Sequence, residues 1–333
     1  MRSMRIICPN GHLGFAPLRT ESFQAGVRAR PDYIAADSGS DDVGPVPLGS
    51  DTSTSPEAWQ RHDLEQMLLA ARGQGVPMII GSAGDTGSDY VAKSAKDGAT
   101  LLLTSSTFLT SAATQPRMPY DPVKSFAPVA MVGEGPLVIG VTGAKPYASL
   151  ADVLEAARAK PDVLNYGTAG IGSLAHLATV MMNDAAHVSM THVPYKGAAN
   201  AASDMAGGQI DIMLANYSSL APLVQSGKIK LVATTARDPH PAFPKLAPAA
   251  AILPGYAVDI WVGVFAPAGT PQDLIDRYNQ AINRVARTPE STALLDMDGT
   301  VPAAIGSTEF AQRVARDYAL WRDVAQSHHI SVE

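Results

Sequence analysis

The sequence predicts an α/β fold with two lobes, and three observations lead to that prediction. Short apolar runs alternate with segments whose apolar residues recur at helical spacing, which is typical of mainly parallel sheets flanked by helices. At 333 residues, 46% of them hydrophobic, the chain exceeds one ordinary domain and can fill a sizeable core. The stretch NYGTAGIGSLAH, residues 165–176, passes from an apolar strand through a glycine-rich turn directly into a helix.

The apolar runs are predicted as strands, in the chain order RIIC, DYIAAD, PMIIG, TLLLTSS, VAMVGEGPLVIGV, LNYG, IDIML, IKLVATT and WVGVFAP. Helix starts between them are marked by Ser55 before Pro56, by Thr270 before Pro271, and by Ser149, whose spacing to an acidic residue resembles a capping box. The segment from residue 37 to 57 is rich in Gly, Pro, Ser and Asp and lacks a period, which predicts a long loop. Its carboxylates fit no metal-binding loop pattern, so we expect no metal there.

Composition excludes several classes of protein. A net charge of −6 offers no basic face for nucleic acid, so an anionic ligand must be held by local dipoles. Cys8 is the only cysteine and forms no internal disulfide. No run approaches the roughly 18 apolar residues of a membrane span. The basic N-terminus is followed by only a three-residue apolar run, so we expect no secretory signal in the chain as written.

The glycine-rich turn has the chemistry of an anion site. Gly167, Gly170 and Gly172 allow a tight turn that brings backbone N–H groups close to a ligand, and Ser173 is placed to cap the next helix. The helix start adds unpaired donors and partial positive charge, which suit a carboxylate or a phosphate. Glycines that serve only strand-to-helix packing are the alternative.

A series of motifs carries a family resemblance from about Ser88 to the C-terminus. They are DYVAKSAKDGATLLLTSS, MPYDPVKSFAPVAMV, LNYGTAGIGSLAHLA, HVPYKG, GGQIDIMLAN, GKIKLVATTA, LPGY and WVGVFAPAGTP. In this order and spacing the chain resembles the solute receptors of tripartite tricarboxylate transporters, the Bug family. The resemblance implies a periplasmic monomer with a type II periplasmic binding protein fold. It would close on a small carboxylate without a cofactor or catalysis and serve membrane transporter subunits.

The first 87 residues do not resemble that family. RIICPNGHLGF, PDYIAADSGSDDVGPVPLGS and MIIGSAGDTG resemble the acyclic terpene utilisation family instead, as an atypical N-terminal α/β graft. We expect residues 1–136 and 229–333 to form the first lobe, and residues 137–228 to form the second.

The resemblance implies that backbone amides and hydroxyls at the carboxyl ends of strands hold the ligand between the lobes. The matching positions of this chain are Ser82, Ala83, Gly84, Asp85 and Thr86, then Thr104, Ser105 and Ser106, then Thr168, Ala169, Gly170, Gly172 and Ser173, with His176, Lys196, Asn216 and Tyr217 beside them.

Several of these positions leave alternatives open. Asp85 either caps the following helix or faces a hydroxyl or ammonium group of the ligand, because a carboxylate repels an anion. His176 either reaches the cleft or is structural, and Lys196 either pairs with a dicarboxylate or is a surface charge. Trp261 and Phe265 either fill the core or wall the pocket.

Other functions are weighed against the receptor. Ser173 and His176 share a helix face, but the resemblance assigns the hydroxyl to a ligand rather than to nucleophilic catalysis. The spacing G-x-x-G-x-G fails as a dinucleotide fingerprint, and one cysteine with scattered histidines supplies no zinc site. The main alternative is a cytoplasmic fusion protein with an enzyme-like role related to the terpene-utilisation family. The third possibility is a fused reading frame whose product folds poorly.

Overall fold

The computed structural model describes residues 85–332 and, nearer the N-terminus, residues 6–7, 24, 27–28, 30, 33–37, 66–67, 69–70, 73–74 and 78–81. The predicted loop after Asp37 and the predicted helix start at Ser55 lie outside these residues.

Most strands of the described residues fall where the apolar runs predict them. The strands are β1 (Ile6–Ile7), β2 (Tyr33–Asp37), β3 (Met78–Gly81), β4 (Thr100–Ser105), β5 (Phe126–Pro136), β6 (Val138–Thr142), β7 (Asn165–Thr168), β8 (Thr191–Pro194), β9 (Ile212–Ala215), β10 (Ile229–Thr234), β11 (Asp259–Pro267) and β12 (Val301–Pro302). The short strands β8 and β12 lie outside the apolar runs. The run VAMVGEGPLVIGV forms two strands, β5 and β6, which are divided at Leu137.

The helices in the same part of the chain are α1 (Asp85–Ala92), α2 (Thr107–Thr114), α3 (Leu150–Ala159), α4 (Leu174–Ala186), α5 (Ala198–Ala206), α6 (Tyr217–Gln225), α7 (Gln272–Ala286), α8 (Pro289–Leu295) and α9 (Ser307–Ser327). Short 3₁₀ turns cover Ala249–Ala251 and Asp296–Asp298. The predicted capping box is present, because the Ser149 hydroxyl accepts from the Asp152 N–H and the Asp152 carboxylate accepts from the Ser149 N–H. Within the described residues, none of the helices combines the length and the hydropathy that a membrane span requires.

The strands form two sheets, in agreement with the predicted two-lobed α/β fold. The first lobe contains the seven-stranded sheet β1-β2-β3-β4-β11-β5-β12, and the second lobe contains the five-stranded sheet β10-β6-β9-β7-β8. Strands β1 to β4 pair in parallel, as do β7 with β8 and β9. The other pairs are antiparallel, because the chain leaves the first sheet through β5 and returns through β11 in the opposite direction. The sheets are therefore mixed, where the alternating pattern predicts mainly parallel ones.

The return to the first lobe comes later than residue 229, where the sequence predicts it. Strand β10 pairs with β6 in the second sheet, with Thr234 opposite Val138. The run IKLVATT has the composition of a buried strand in either sheet, so its sequence does not indicate which one it joins.

Thr235 forms hydrogen bonds between the two segments of chain that cross from one lobe to the other, one at Leu137 and one between β10 and β11. Its N–H donates to the Leu137 carbonyl at 2.9 Å, and its hydroxyl oxygen accepts from the Leu137 N–H at 2.9 Å. The same hydroxyl donates to the Val258 carbonyl at 2.5 Å, and the Val258 N–H donates to the Thr235 carbonyl at 2.9 Å. Because Thr235 is fully buried, these bonds are shielded from water and fix the crossover.

Aromatic side chains fill the core between the first sheet and α9. Trp261, Phe265 and Phe310 are fully buried, and the Phe310 ring centroid lies 5.2 Å from each of the other two. A Cβ atom at Gly263 would lie 2.3 Å from Phe310, so glycine is needed for α9 to approach β11 this closely. Trp261 and Phe265 are thus core residues.

The C-terminal segment holds the second lobe against the first. Helix α9 packs against α2 and α4. Beyond it, the His328 side chain pairs with Asp184 of α4 at 2.7 Å, and the Val332 N–H donates to the Thr114 carbonyl of α2 at 2.9 Å. Helix α4 is therefore anchored to elements outside its own sheet.

Candidate functional site

The carboxyl ends of parallel strands from both sheets lie at the edges that meet at the crossover. Val138, the first residue after the crossover, pairs with Ala215 at the end of β9, and β7 runs parallel to β9 and ends at Thr168. In the first sheet, Ser105 at the end of β4 pairs with Val262 near the start of β11. Ligands of open α/β sheets bind outside the carboxyl ends of strands, so the gap between these edges is the candidate site.

The turn after β7 is held by hydrogen bonds within the turn. The Thr168 hydroxyl accepts from the Gly170 N–H at 3.2 Å and lies 3.1 Å from the Gly170 carbonyl. The Ser173 hydroxyl donates to the same carbonyl at 2.8 Å and accepts from the His176 N–H at 3.3 Å. Ser173 therefore caps α4 as predicted. Both hydroxyls, which the sequence offers as ligand donors, already have partners in the protein.

Other donors of the turn remain unused. Gly170, at φ 145°, and Gly172, at φ 77°, take conformations that favour glycine, and their N–H groups are hydrogen-bonded within the protein. The N–H groups of Ala169, Ile171, Leu174 and Ala175 have no hydrogen-bond acceptor in the described part of the chain. These amides lie at and just before the positive end of the α4 dipole, an arrangement that suits an anion.

Two stacked histidines lie beneath this turn. The imidazoles of His176 and His192 are 3.8 Å apart at an angle of 11°, and Tyr166 stacks on His192 at 4.8 Å. His176 Nδ1 accepts from the Gly172 N–H at 3.2 Å, and His192 Nε2 lies 2.7 Å from the Thr168 hydroxyl. His176, at 6% exposure, is thus a buried residue that supports the turn from inside.

Burial determines the charge of both rings. Burial, with a further contribution from His192, lowers the pKa of His176 to about 3, and burial lowers the pKa of His192 to about 4. Both imidazoles are therefore neutral at pH 7. Ser173 and His176 do not form a nucleophile–base pair, because each side chain is hydrogen-bonded to backbone groups instead.

The turn also contacts the first lobe. A Cβ atom at Gly172 would lie 2.4 Å from Thr114 Oγ1 and 3.2 Å from Val332 Cγ2, so the backbone of the turn packs closely on the end of α2 and on the C-terminal segment. The turn therefore has a partner surface from the first lobe.

The predicted residues of the first lobe follow β4 into α2. The Ser105 hydroxyl lies 2.6 Å from the Thr107 hydroxyl, and the Ser106 N–H donates to the Trp261 carbonyl at 2.8 Å. Thr104 and Ser106 are buried, whereas Ser105 and Thr107 are half-buried. Ser105 and Thr107 are thus the hydroxyl groups of this segment that are partly open to solvent.

The carboxylate of Asp298 binds the first turn of α6. Asn216 precedes this helix, and the Ser218 N–H donates to Asp298 Oδ1 of the first lobe at 2.6 Å. Tyr217 packs edge-on against Phe243 at 5.5 Å. Asn216 and Tyr217 lie at the predicted edge, beside a direct bond between the lobes.

The remaining predicted residues are placed only in part. Lys196 is exposed and lies just beyond the end of β8, at the edge shared with Thr168. Asp85 and Thr86 begin α1, while Ser82, Ala83 and Gly84 lie outside the described residues.

Several positions at or beside the candidate site are absent from the predicted set. Ile171, Leu174 and Ala175 have unused amides, which their apolar side chains do not indicate. His192, which stacks on His176 beneath the turn, is also absent from that set. Thr235 and Asp298 are distant in sequence from their hydrogen-bond partners, so the sequence alone does not indicate these contacts. Among the described residues, no group of three or more His, Cys, Asp or Glu side chains is arranged to hold a metal.

A known protein family matches most of this chain. Residues 70–329 match the family described as the tripartite tricarboxylate transporter family receptor, TctC. The chain is 32% identical over 253 residues, 75% of each chain, to the UPF0065 protein in the tcbD-tcbE intergenic region of Pseudomonas sp. (strain P51). It is 27% identical to protein BugT of Bordetella pertussis, covering 85% of this chain and 86% of BugT.

Two solved structures are similar to this fold. One is R. palustris Rpa4515 with adipate, at 29% identity and a TM-score of 0.67, covering 81% of this chain and 93% of that one. The other is MatC (Rpa3494) from Rhodopseudomonas palustris with bound malate, at 28% identity and a TM-score of 0.64, covering 76% and 90%. The chain therefore belongs to the receptor family of tripartite tricarboxylate transporters.

Proposed function

We propose that this protein is a solute receptor that binds a small organic anion, a dicarboxylate, in the gap between its two sheets. The observation that carries the proposal is the set of unused N–H groups of Ala169, Ile171, Leu174 and Ala175, which follow the carboxyl end of β7 at the edge of the second sheet beside the crossover. Family membership supports the same role.

The ligand is inferred to be anionic because four N–H donors of the turn and of the α4 start have no acceptor in the described part of the chain. The start of α4 supplies amide donors and partial positive charge, which stabilise a carboxylate without a formal positive charge. This arrangement suits a chain with a net charge of −6, where a general positive field is absent.

Other groups beside the turn would bind a second carboxylate group of the ligand. Lys196 lies at the same edge of the second sheet as the turn, and Ser105 and Thr107 offer hydroxyls from the first lobe. A ligand with two carboxylates would engage the α4 turn at one end and these groups at the other. Two relatives were solved with the dicarboxylates adipate and malate, which supports this class.

The proposed site includes the other predicted residues near the gap. Asn216 and Tyr217 would flank the ligand beside the bond between Ser218 and Asp298. Ser82 to Thr86 would complete the first lobe's side of the gap, and His176 would act from beneath the turn. The receptor would work in the periplasm, pass its ligand to membrane transporter subunits, and release it chemically unchanged.

Thermal unfolding with a panel of ligands tests the proposal. The panel contains malate, adipate, succinate, citrate, benzoate and glutamate, each compared with the neutral diamide or amide of the same skeleton. A ligand at 100 times its dissociation constant adds about 2.7 kcal/mol to the free energy of unfolding. We expect at least one dicarboxylate to raise the melting temperature while its diamide does not. A cooperative melt that no acid shifts, or that diamides shift equally, would contradict the proposal.

A further inference from the structure

We propose that the stacked imidazoles of His176 and His192 are positioning residues, which hold the turn from Thr168 to Ser173 in the form that presents its free amides to the ligand. This inference rests on the proposed function. Neither ring is assigned direct contact with the ligand.

The two rings fix the turn at both of its ends. His192 Nε2 lies 2.7 Å from the hydroxyl of Thr168, the first residue of the turn, and His176 Nδ1 accepts from the N–H of Gly172 near its end. Because the rings stack at 3.8 Å, neither moves without disturbing the other. Tyr166 extends the stack into the buried strand β7.

The pattern of used and unused amides follows from these bonds. The N–H of Gly170 goes to the Thr168 hydroxyl and that of Gly172 goes to His176, whereas the N–H groups of Ala169 and Ile171 lack an acceptor in the described part of the chain. Side chains beneath the turn accept from the N–H groups of Gly170 and Gly172. The N–H groups of Ala169 and Ile171, which alternate with them, are left for a ligand. A buried N–H that loses its acceptor is costly, so loss of His176 Nδ1 should change the turn.

His176 Nδ1 can accept from the Gly172 N–H only while the imidazole ring is neutral. A proton on Nδ1 would remove the lone pair that Gly172 uses, and two charged rings in contact would repel each other. Burial, which lowers the pKa of both histidines, keeps them neutral at pH 7. His176 therefore exists as the Nε2–H tautomer.

Matched variants at both rings test the proposal. His176→Asn places an acceptor near the Nδ1 position, whereas His176→Leu has a similar shape and none. His192→Gln and His192→Met form the corresponding pair at Nε2. Each variant is first checked for cooperative unfolding. The pair at His192 keeps the test decisive if His176→Leu does not fold.

The first readout is nuclear magnetic resonance of the ligand-free protein, which needs no bound solute. We expect the wild type to show His176 unprotonated at Nδ1 and the Gly172 amide protected from hydrogen exchange. Protection should be lost in His176→Leu and kept in His176→Asn. Equal protection in both variants, or a protonated Nδ1 in the wild type, would overturn the inference.

The second readout is the dissociation constant for malate and for adipate. We expect the Leu and Met variants to bind roughly tenfold more weakly, and the Asn and Gln variants to bind nearly as the wild type does. Equal affinity in all four variants would refute the positioning role. Failure of the wild type to bind any anion of the panel would instead count against the proposed function, and the resonance measurement would still decide the role of the histidines.

Discussion

Gly172→Ala is expected to destabilise the protein and weaken ligand binding, because the added methyl group has no space. Its Cβ atom would lie 2.4 Å from Thr114 Oγ1 and 3.2 Å from Val332 Cγ2. The Thr114 hydroxyl donates to the Thr110 carbonyl at 2.9 Å, so it cannot turn away without losing that bond. The turn must move instead, and the bond from Gly172 to His176 moves with it.

The expected size of the effect has two parts. Gly172 has φ 77°, a left-handed conformation that costs an alanine about 1–2 kcal/mol. Overpacking of a close contact costs a further 1–3 kcal/mol or so, which gives a total of about 2–5 kcal/mol. Gly227 is the matched control, because it has φ 71° with no atom within 4 Å of its added Cβ. Gly227→Ala should therefore show only the backbone cost.

Urea unfolding followed by tryptophan fluorescence measures both variants. The difference between them should be about 1–3 kcal/mol, and the double variant Gly172→Ala/Thr114→Ala should recover part of it. Malate or adipate affinity should fall in Gly172→Ala and remain unchanged in Gly227→Ala. Equal stability of the two single variants would refute the proposed close contact between the turn and α2.

Three further predictions concern the bonds between the lobes and the crossover. Asp298→Ala removes the acceptor of the Ser218 N–H, so ligand dissociation measured by stopped flow should become faster; an unchanged rate would show that this bond does not hold the lobes together. Thr235→Val removes a buried hydroxyl with partners on both crossing segments and should lower the free energy of unfolding by about 1–3 kcal/mol in urea titrations, whereas wild-type stability would contradict this account. Burial, with Glu134 nearby, raises the pKa of Asp259 from 3.8 to about 6. The folded state therefore binds the proton of this carboxyl group more tightly than the unfolded state does. Asp259 by itself therefore makes stability fall from pH 4 to pH 6, whereas the two buried histidines make it rise, so Asp259→Asn should make stability rise more steeply with pH than it does in the wild type; an identical slope in the variant would exclude a contribution from Asp259.

Local patterns in the sequence are sufficient to predict most of the elements and the glycine-rich turn after β7. The run NYGT and the glycines after it predicted the strand, the turn and the α4 start, and Ser173 and Ser149 predicted their caps. These features depend on residues a few positions apart, which is why sequence alone reveals them. For Trp261 and Phe265 the sequence allows either core or pocket, and the structure places both in the core.

Features that depend on distant residues were not predictable. The sheet to which β10 belongs follows from pairing with β6, which the apolar run does not indicate. The bond from Ser218 to Asp298 spans 80 residues. Which amides of the turn stay unused could not be predicted, because that depends on the hydrogen bonds that the hydroxyls of Thr168 and Ser173 form. Their internal bonds appear only once the turn has folded.

Hydrogen–deuterium exchange with and without a dicarboxylate tests the central claim most directly. If one anion is held between the lobes, malate or adipate should slow exchange in two separate segments, the start of α2 at residues 105–108 and the start of α4 at residues 169–175. The diamides should have no effect. Slower exchange in only one of these segments, or no change in a folded protein that is saturated with the acid, would contradict binding between the two sheets.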